Sequence, residues 1–111
     1  MKCIFKLYIN CGRMGELEGL FISTKEKVNK LIESEIQVYF GEVLGKHSEV
    51  FGAIEDSDIK MLTDSEEAVK LVEECKLQSG HNPFHYTATG VGEKYEGAIV
   101  DEIIEDMLKD K

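Results

Sequence analysis

The chain has 111 residues, 42% of them apolar, and a formal net charge of −9. That length suits one domain, expected to span residues 1–111, and the apolar share is enough to fill a core rather than leave a disordered chain. The absence of any run of eighteen apolar residues excludes a membrane-crossing helix, and the lack of a basic stripe on so acidic a chain argues against direct binding to nucleic acid.

The charge is unevenly placed. Residues 1–63 carry eight Lys/Arg against ten Asp/Glu, whereas residues 64–111 carry five against twelve. The acidic half reads either as a solvated face or as a surface that mimics nucleic acid toward a basic partner. Lys6, Tyr8 and Asn10 interrupt the apolar run of MKCIFKLYINC, unlike the core of a signal peptide, so a cytoplasmic location is expected.

In chain order, Cys3, Phe5, Leu7, Ile9 and Cys11 alternate with polar residues, the period of a half-buried strand. GRMG (12–15) supplies a turn and ELEGLFIS a return strand, which predicts a hairpin over 2–23. Ser23 with Glu26 forms a capping box for a helix carrying Val28, Leu31 and Ile32 and ending near Ser34. IQVYFGEVLG and EVFGAIE read as two strands around a turn at Gly45–Ser48, DSD (56–58) breaks the chain, and IKMLT is a short strand. Asp64 with Glu67 gives a second capping box, before a stripe of Ala68, Leu71, Val72 and Cys75. Residues 78–93 form the one long irregular stretch. A last helix is expected over about 93–108, with Ile99, Val100, Ile103, Ile104, Met107 and Leu108 on its apolar face. The resulting order, β-β-α-β-β-β-α-α, predicts an α+β fold with a mostly antiparallel sheet of about five strands.

Three cysteines without a C-x-x-C pair read as small buried hydrophobes in a reducing compartment. If residues 3–11 form one strand, Cys3 and Cys11 lie about 26 Å apart at ~3.3 Å per residue, too far for a disulfide. With the thiols buried, and Ser48 merely adjacent to His47 in sequence, no catalytic residue is assigned.

Two segments carry the candidate site. GEVLGKHSEVFG (41–52) superficially resembles a phosphate-binding loop. Its glycine spacing is one residue short, His47 separates Lys46 from Ser48, and no helical stripe follows, so it departs from that motif in pattern and context. A hairpin turn explains Gly45, but Lys46, His47, Ser48 and Glu49 place a cation, an imidazole, a hydroxyl and a carboxylate in succession. Such a cluster beside a glycine suits one wall of a pocket for a small polar, nucleotide-like ligand. GHNPFHY (80–86) supplies the other wall through His81, Asn82 and Tyr86. His81 and His85 have the i, i+4 spacing of helical zinc ligands, yet Pro83 between them disfavours that geometry. Asn82 instead suits the cap of a short turn with Pro83 first, leaving His81 outside it. No metal or other cofactor is expected. TATGVGEK (87–94) holds a weak pattern for a backbone anion nest.

The block YFGEVLGKHSEVFGAIEDSDI, followed by an acidic helix and SGHNPFHY, resembles a group of small uncharacterised phage and bacterial proteins. The resemblance covers most of residues 36–86 and carries no activity over. It implies a small accessory protein of phage type, in the host cytoplasm if phage-encoded, acting by binding and blocking. The leading expectation is therefore a non-enzymatic protein that sequesters a small polar ligand to counter a host process, with subunits assembled through the C-terminal helix. The alternatives are an acidic module, using Asp101, Glu102, Glu105 and Asp106, that blocks a basic site on a host protein, and a small hydrolase using His47 or His85.

Overall fold

A computed structural model describes residues 1–11, 15–41, 49–89 and 92–109. Strands β1 (Lys2–Asn10) and β2 (Glu16–Thr24) pair antiparallel over their full length, from Lys2 opposite Thr24 to Asn10 opposite Glu16. Helix α1 (Lys25–Ser34) follows, then β3 (Gln37–Gly41), β4 (Val50–Ala53), a 3₁₀ turn at Asp56–Asp58 and β5 (Ile59–Thr63). Helix α2 (Glu66–Glu74) leads to β6 (Ser79–Gly80), a 3₁₀ turn at Pro83–His85 and β7 (Thr87–Thr89). A third 3₁₀ turn at Glu93–Tyr95 precedes α3 (Val100–Lys109). The fold is α+β.

The strands divide into two antiparallel sheets, ordered β5-β1-β2-β6 and β4-β3-β7. The five expected strands are present as β1 to β5. Two further short strands, β6 and β7, come from the stretch expected to be irregular, and they exist because each finds a partner edge on a different sheet. Backbone groups left unpaired beside a sheet are costly, so a neighbouring chain of compatible register joins the ladder.

Alternation along β1 and β2 separates two faces of the larger sheet. On one face Cys3, Phe5, Leu7, Leu17 and Phe21 are buried together with Val38 and Phe40 of the second sheet, Val28 and Leu31 of α1, and Val100, Ile103 and Ile104 of α3. The other face carries Ile4, Leu20 and Ile22, covered by Ala68, Val69 and Val72 of α2. Two buried valines, each contributing about 1.5–3 kcal/mol, hold α2 on that face.

Several local expectations shift once packing is fixed. The cap of α1 is Thr24, whose Oγ1 accepts from the Lys27 backbone N–H at 3.1 Å, because the ladder runs one residue past Ser23, to Thr24 opposite Lys2, and the helix starts only at Lys25. The cap of α2 is Ser65, accepting from Ala68 N–H at 3.4 Å, one residue beyond Asp64. The buried stripe of α2 is Val69 and Val72, which turns Leu71 and Cys75 to solvent. Of the three thiols only Cys3 is buried, Cys11 being half-buried. The last helix begins at Val100, preceded by Gly97 in the left-handed region at φ 80°. Its Val100, Ile103 and Ile104 are wholly buried in the core of its own chain. The apolar stripe expected to join subunits is thus largely consumed within the fold.

Candidate functional site

The segment from Ser79 to Thr89 bridges the two sheets. At its start, Gly80 lies opposite Gly19 and Ser79 opposite Leu20 on β2, and the His81 N–H donates to the Glu18 carbonyl at 2.9 Å. The approach is close enough to require two glycines. A Cβ on Gly19 would overlap the His81 carbonyl; one on Gly80, which sits at φ 68°, would overlap the Glu18 carbonyl. At its end, Thr87–Thr89 pairs with β3, and Val100 N–H donates to the Tyr86 carbonyl at 2.8 Å. The segment is therefore fastened at both ends to rigid elements, the arrangement that holds site residues in place.

Between those fastenings the sequence dictates a tight turn. Pro83 is preset for the first position of the 3₁₀ turn, and Asn82 caps it, with Oδ1 accepting from the Phe84 N–H at 2.9 Å. The expectation for Asn82 and Pro83 holds, and His81 falls outside the turn. Phe84 is buried edge-on against Phe21, ring centroids 5.9 Å apart. The Asn82 amide nitrogen lies 3.4 Å from His85 Nε2.

His81 and Tyr86 meet on the inner side of the same segment. The Tyr86 hydroxyl is 2.6 Å from His81 Nδ1, and both rings pack on Phe40, at 4.8 Å for Tyr86 and 6.2 Å for His81. Burial pushes the Tyr86 hydroxyl above its ordinary pKa, so it stays protonated and hydrogen-bonded to His81 Nδ1.

Asn82 and His85 stand on the outer side, where they line two adjoining clefts of about 200 and 250 Å³. The first is walled by Lys2, Ser23, Thr24, Lys27 and Asp101, with Phe84 beneath; the second by Phe21, Gln78 and Ser79. Neither lysine in the first cleft is a free cation. Lys2 pairs with Glu73 at 3.0 Å, and Lys27 reaches Asp101 at 3.1 Å and Glu105 at 3.0 Å. Burial draws the Lys27 ammonium down, but hydrogen bonds to Glu105 and Asp101 outweigh it and hold its pKa above the ordinary value. The same contact holds the Glu105 carboxyl below its ordinary range. Each positive charge in the cleft is thus accompanied by carboxylate, leaving it near neutral.

Of the eight residues read from sequence as the site, Gly45, Lys46, His47 and Ser48 lie outside the described residues. Glu49 is exposed and lines a separate groove of about 280 Å³ with Ile9, Cys11, Phe40 and Phe51. Phe40 borders both that groove and the His81–Tyr86 pair. The structure brings His81 and Tyr86 together, and Asn82 with His85, back to back on one segment. Lys2, Ser23, Thr24, Lys27 and Asp101 were not legible as cleft residues, because they converge from β1, the β2–α1 junction and α3. The nest pattern at 87–94 includes Gly90 and Val91, which lie outside the described residues.

Among the described residues no group of three or more His, Cys, Asp and Glu side chains is arranged to hold a metal ion, and no helix is long and apolar enough to cross a membrane. The acidic helix α3 is substantially neutralised within the chain. Asp101 and Glu105 engage Lys27, while Asp106 accepts from the Tyr95 hydroxyl at 2.7 Å and pairs with Lys94 at 3.4 Å. Compared with models of protein families, with curated proteins and with solved structures, the chain shows no match.

Proposed function

We propose that the chain is a non-enzymatic binding protein that holds a small polar, nucleoside-like ligand in the paired clefts on either side of Asn82 and His85. The observation that carries this reading is the placement of one amide and one imidazole on the wall common to both clefts, on a segment fastened to two sheets. Together the clefts, about 200 and 250 Å³, reach the range of small-molecule sites, roughly 300–1,000 Å³. Their chemistry suits a ring with several hydrogen-bonding edges. The His85 ring offers an apolar face over a floor closed by buried Phe84 and Phe21, and Asn82, Gln78, Ser79, Ser23 and Thr24 offer donors and acceptors.

Because Lys2 and Lys27 already answer to carboxylates, a dianionic phosphate gains little there, which favours the uncharged end of the nucleotide-like class. The resemblance noted from the sequence over most of residues 36–86 implies that this binding sequesters the ligand against a host process. A thermal-shift panel of nucleosides, their 5′-monophosphates and cyclic dinucleotides tests the reading. A ligand at one hundred times its Kd adds about 2.7 kcal/mol, with nucleosides shifting at least as far as the monophosphates. A flat panel, or an equal shift in an Asn82→Ala, His85→Ala variant, refutes it.

A further inference from the structure

Helix α2 covers only half of the outer face of the larger sheet. Over Ile4, Leu20 and Ile22 the face is closed by Val69 and Val72. Beyond them it is open, and its charge is sorted. Lys6 on β1 lies directly opposite Lys60 on β5, a like-charge pairing that costs stability in a sheet. On β2, the neighbour on the other side, Glu16 and Glu18 point to the same face, opposite Asn10 and Tyr8. All four charged residues are exposed and among the described residues none of them forms an ion pair, Glu16 instead accepting a hydrogen bond from the Tyr8 hydroxyl beside it. Tyr8 and Leu62 add large apolar side chains 39% and 48% exposed. Lys6, Glu18 and Leu62 border a groove of about 470 Å³ on this face.

We propose that this half-face is where a second copy of the chain docks, related by a two-fold axis, with Lys6 and Lys60 of each protomer set against Glu16 and Glu18 of the other. A two-fold interface must be self-complementary. A positive patch and a negative patch side by side on one surface satisfy that condition, since an axis between them exchanges one for the other. The unfavourable Lys6–Lys60 apposition is then relieved in the dimer rather than left as a cost. Lys60 also sits on an edge strand, where a lysine discourages strand-to-strand addition and directs association to the face. The step left by α2 is about one helix thick, ~10 Å, close to the ~10 Å between packed sheets, so the partner's sheet fits beside it. The open area spans three strands at ~4.8 Å and a few residues at ~3.3 Å, well below the ~800 Å² per partner of stable complexes. The dimer is therefore weak and governed by salt.

Sedimentation equilibrium of the full chain tests this at about 0.01 M and about 0.15 M salt, where the screening length falls from about 30 to about 8 Å. The expected result is a monomer–dimer equilibrium whose Kd weakens about tenfold or more at the higher salt. A Lys6→Glu, Lys60→Glu chain and a Glu16→Lys, Glu18→Lys chain are each monomeric, and their equimolar mixture dimerises. Wild-type chain that stays monomeric at low salt, or a mixture that fails to associate, overturns the proposal. Should a charge-reversed chain fail to fold, carbodiimide cross-linking of a ¹⁴N/¹⁵N wild-type mixture decides. Mixed-isotope links joining Lys6 or Lys60 to Glu16 or Glu18 support the dimer, and their absence refutes it.

Discussion

Replacing Gly19 by alanine strikes the fastening on which the candidate site depends. The added Cβ would overlap the His81 carbonyl, a backbone atom that no side-chain rotation can move aside. Either the segment lifts or β2 deforms. Lifting sacrifices the His81-to-Glu18 hydrogen bond and the Gly19–Gly80 pairing, at about 1 kcal/mol per hydrogen bond. Staying in place incurs overpacking of about 1–3 kcal/mol. We expect a loss of roughly 2–4 kcal/mol by urea denaturation. At about 4–8 °C per kcal/mol, Tm falls by roughly 10–30 °C. Hydrogen exchange localises the effect, with the His81 amide losing its protection before the β1–β2 ladder does. Gly92→Ala is the control, since a Cβ there meets nothing within 4 Å among the described residues, and it changes stability by less than about 0.5 kcal/mol. A Gly19→Ala chain as stable as wild type, with the His81 amide still protected, would show that the close approach is not what seats the segment.

Tyr86→Phe keeps the ring on Phe40 but removes the hydroxyl hydrogen-bonded to His81 Nδ1. It lowers stability by about 1 kcal/mol and removes the partner of His81 Nδ1, seen as a shift of that imidazole ¹⁵N resonance by NMR; an unchanged resonance would contradict the pairing. For acid stability the sign follows from Glu105, whose hydrogen bond from Lys27 lowers its pKa below the usual 4.5. Its contribution is present above pH 4.5 and lost as pH falls through the depressed value. Glu105→Gln thus flattens the decline in urea-measured stability below that pH, by a small amount because the group is exposed, and identical acid slopes in the two chains would refute the linkage.

Local sequence settled whatever one segment decides for itself. Alternation from Cys3 to Ile9 and from Leu17 to Phe21 specifies two half-buried strands, and the short link between them leaves little but a hairpin. Val28 and Leu31 fix α1, and Asn82-Pro83 fixes its turn, because a proline presets φ and an asparagine side chain reaches the N–H two residues on. Where adjacent residues offered equal local chemistry, sequence left the choice open. Ser23 and Thr24, or Asp64 and Ser65, can each cap a helix. The ladder with Lys2 carries β2 through to Thr24 and so selects it. In α2, Leu71 is more apolar than Val69, yet contact with Ile4, Leu20 and Ile22 puts Val69 inside.

The division into two sheets, and the clefts beside Asn82 and His85, belong to tertiary structure alone. Lys2, Thr24 and Asp101 line one cleft from three separate elements, and no pattern within a window of sequence marks such a meeting. The same holds for Lys6 facing Lys60, 54 positions away, since strand register decides which charges share a face. A chain of this composition specifies by itself its five longer strands, its helices and an apolar interior, while β6 and β7 wait on a partner edge. Which polar groups then become neighbours is set by long-range pairing, because side chains act through the few ångströms around them and not through their order along the backbone.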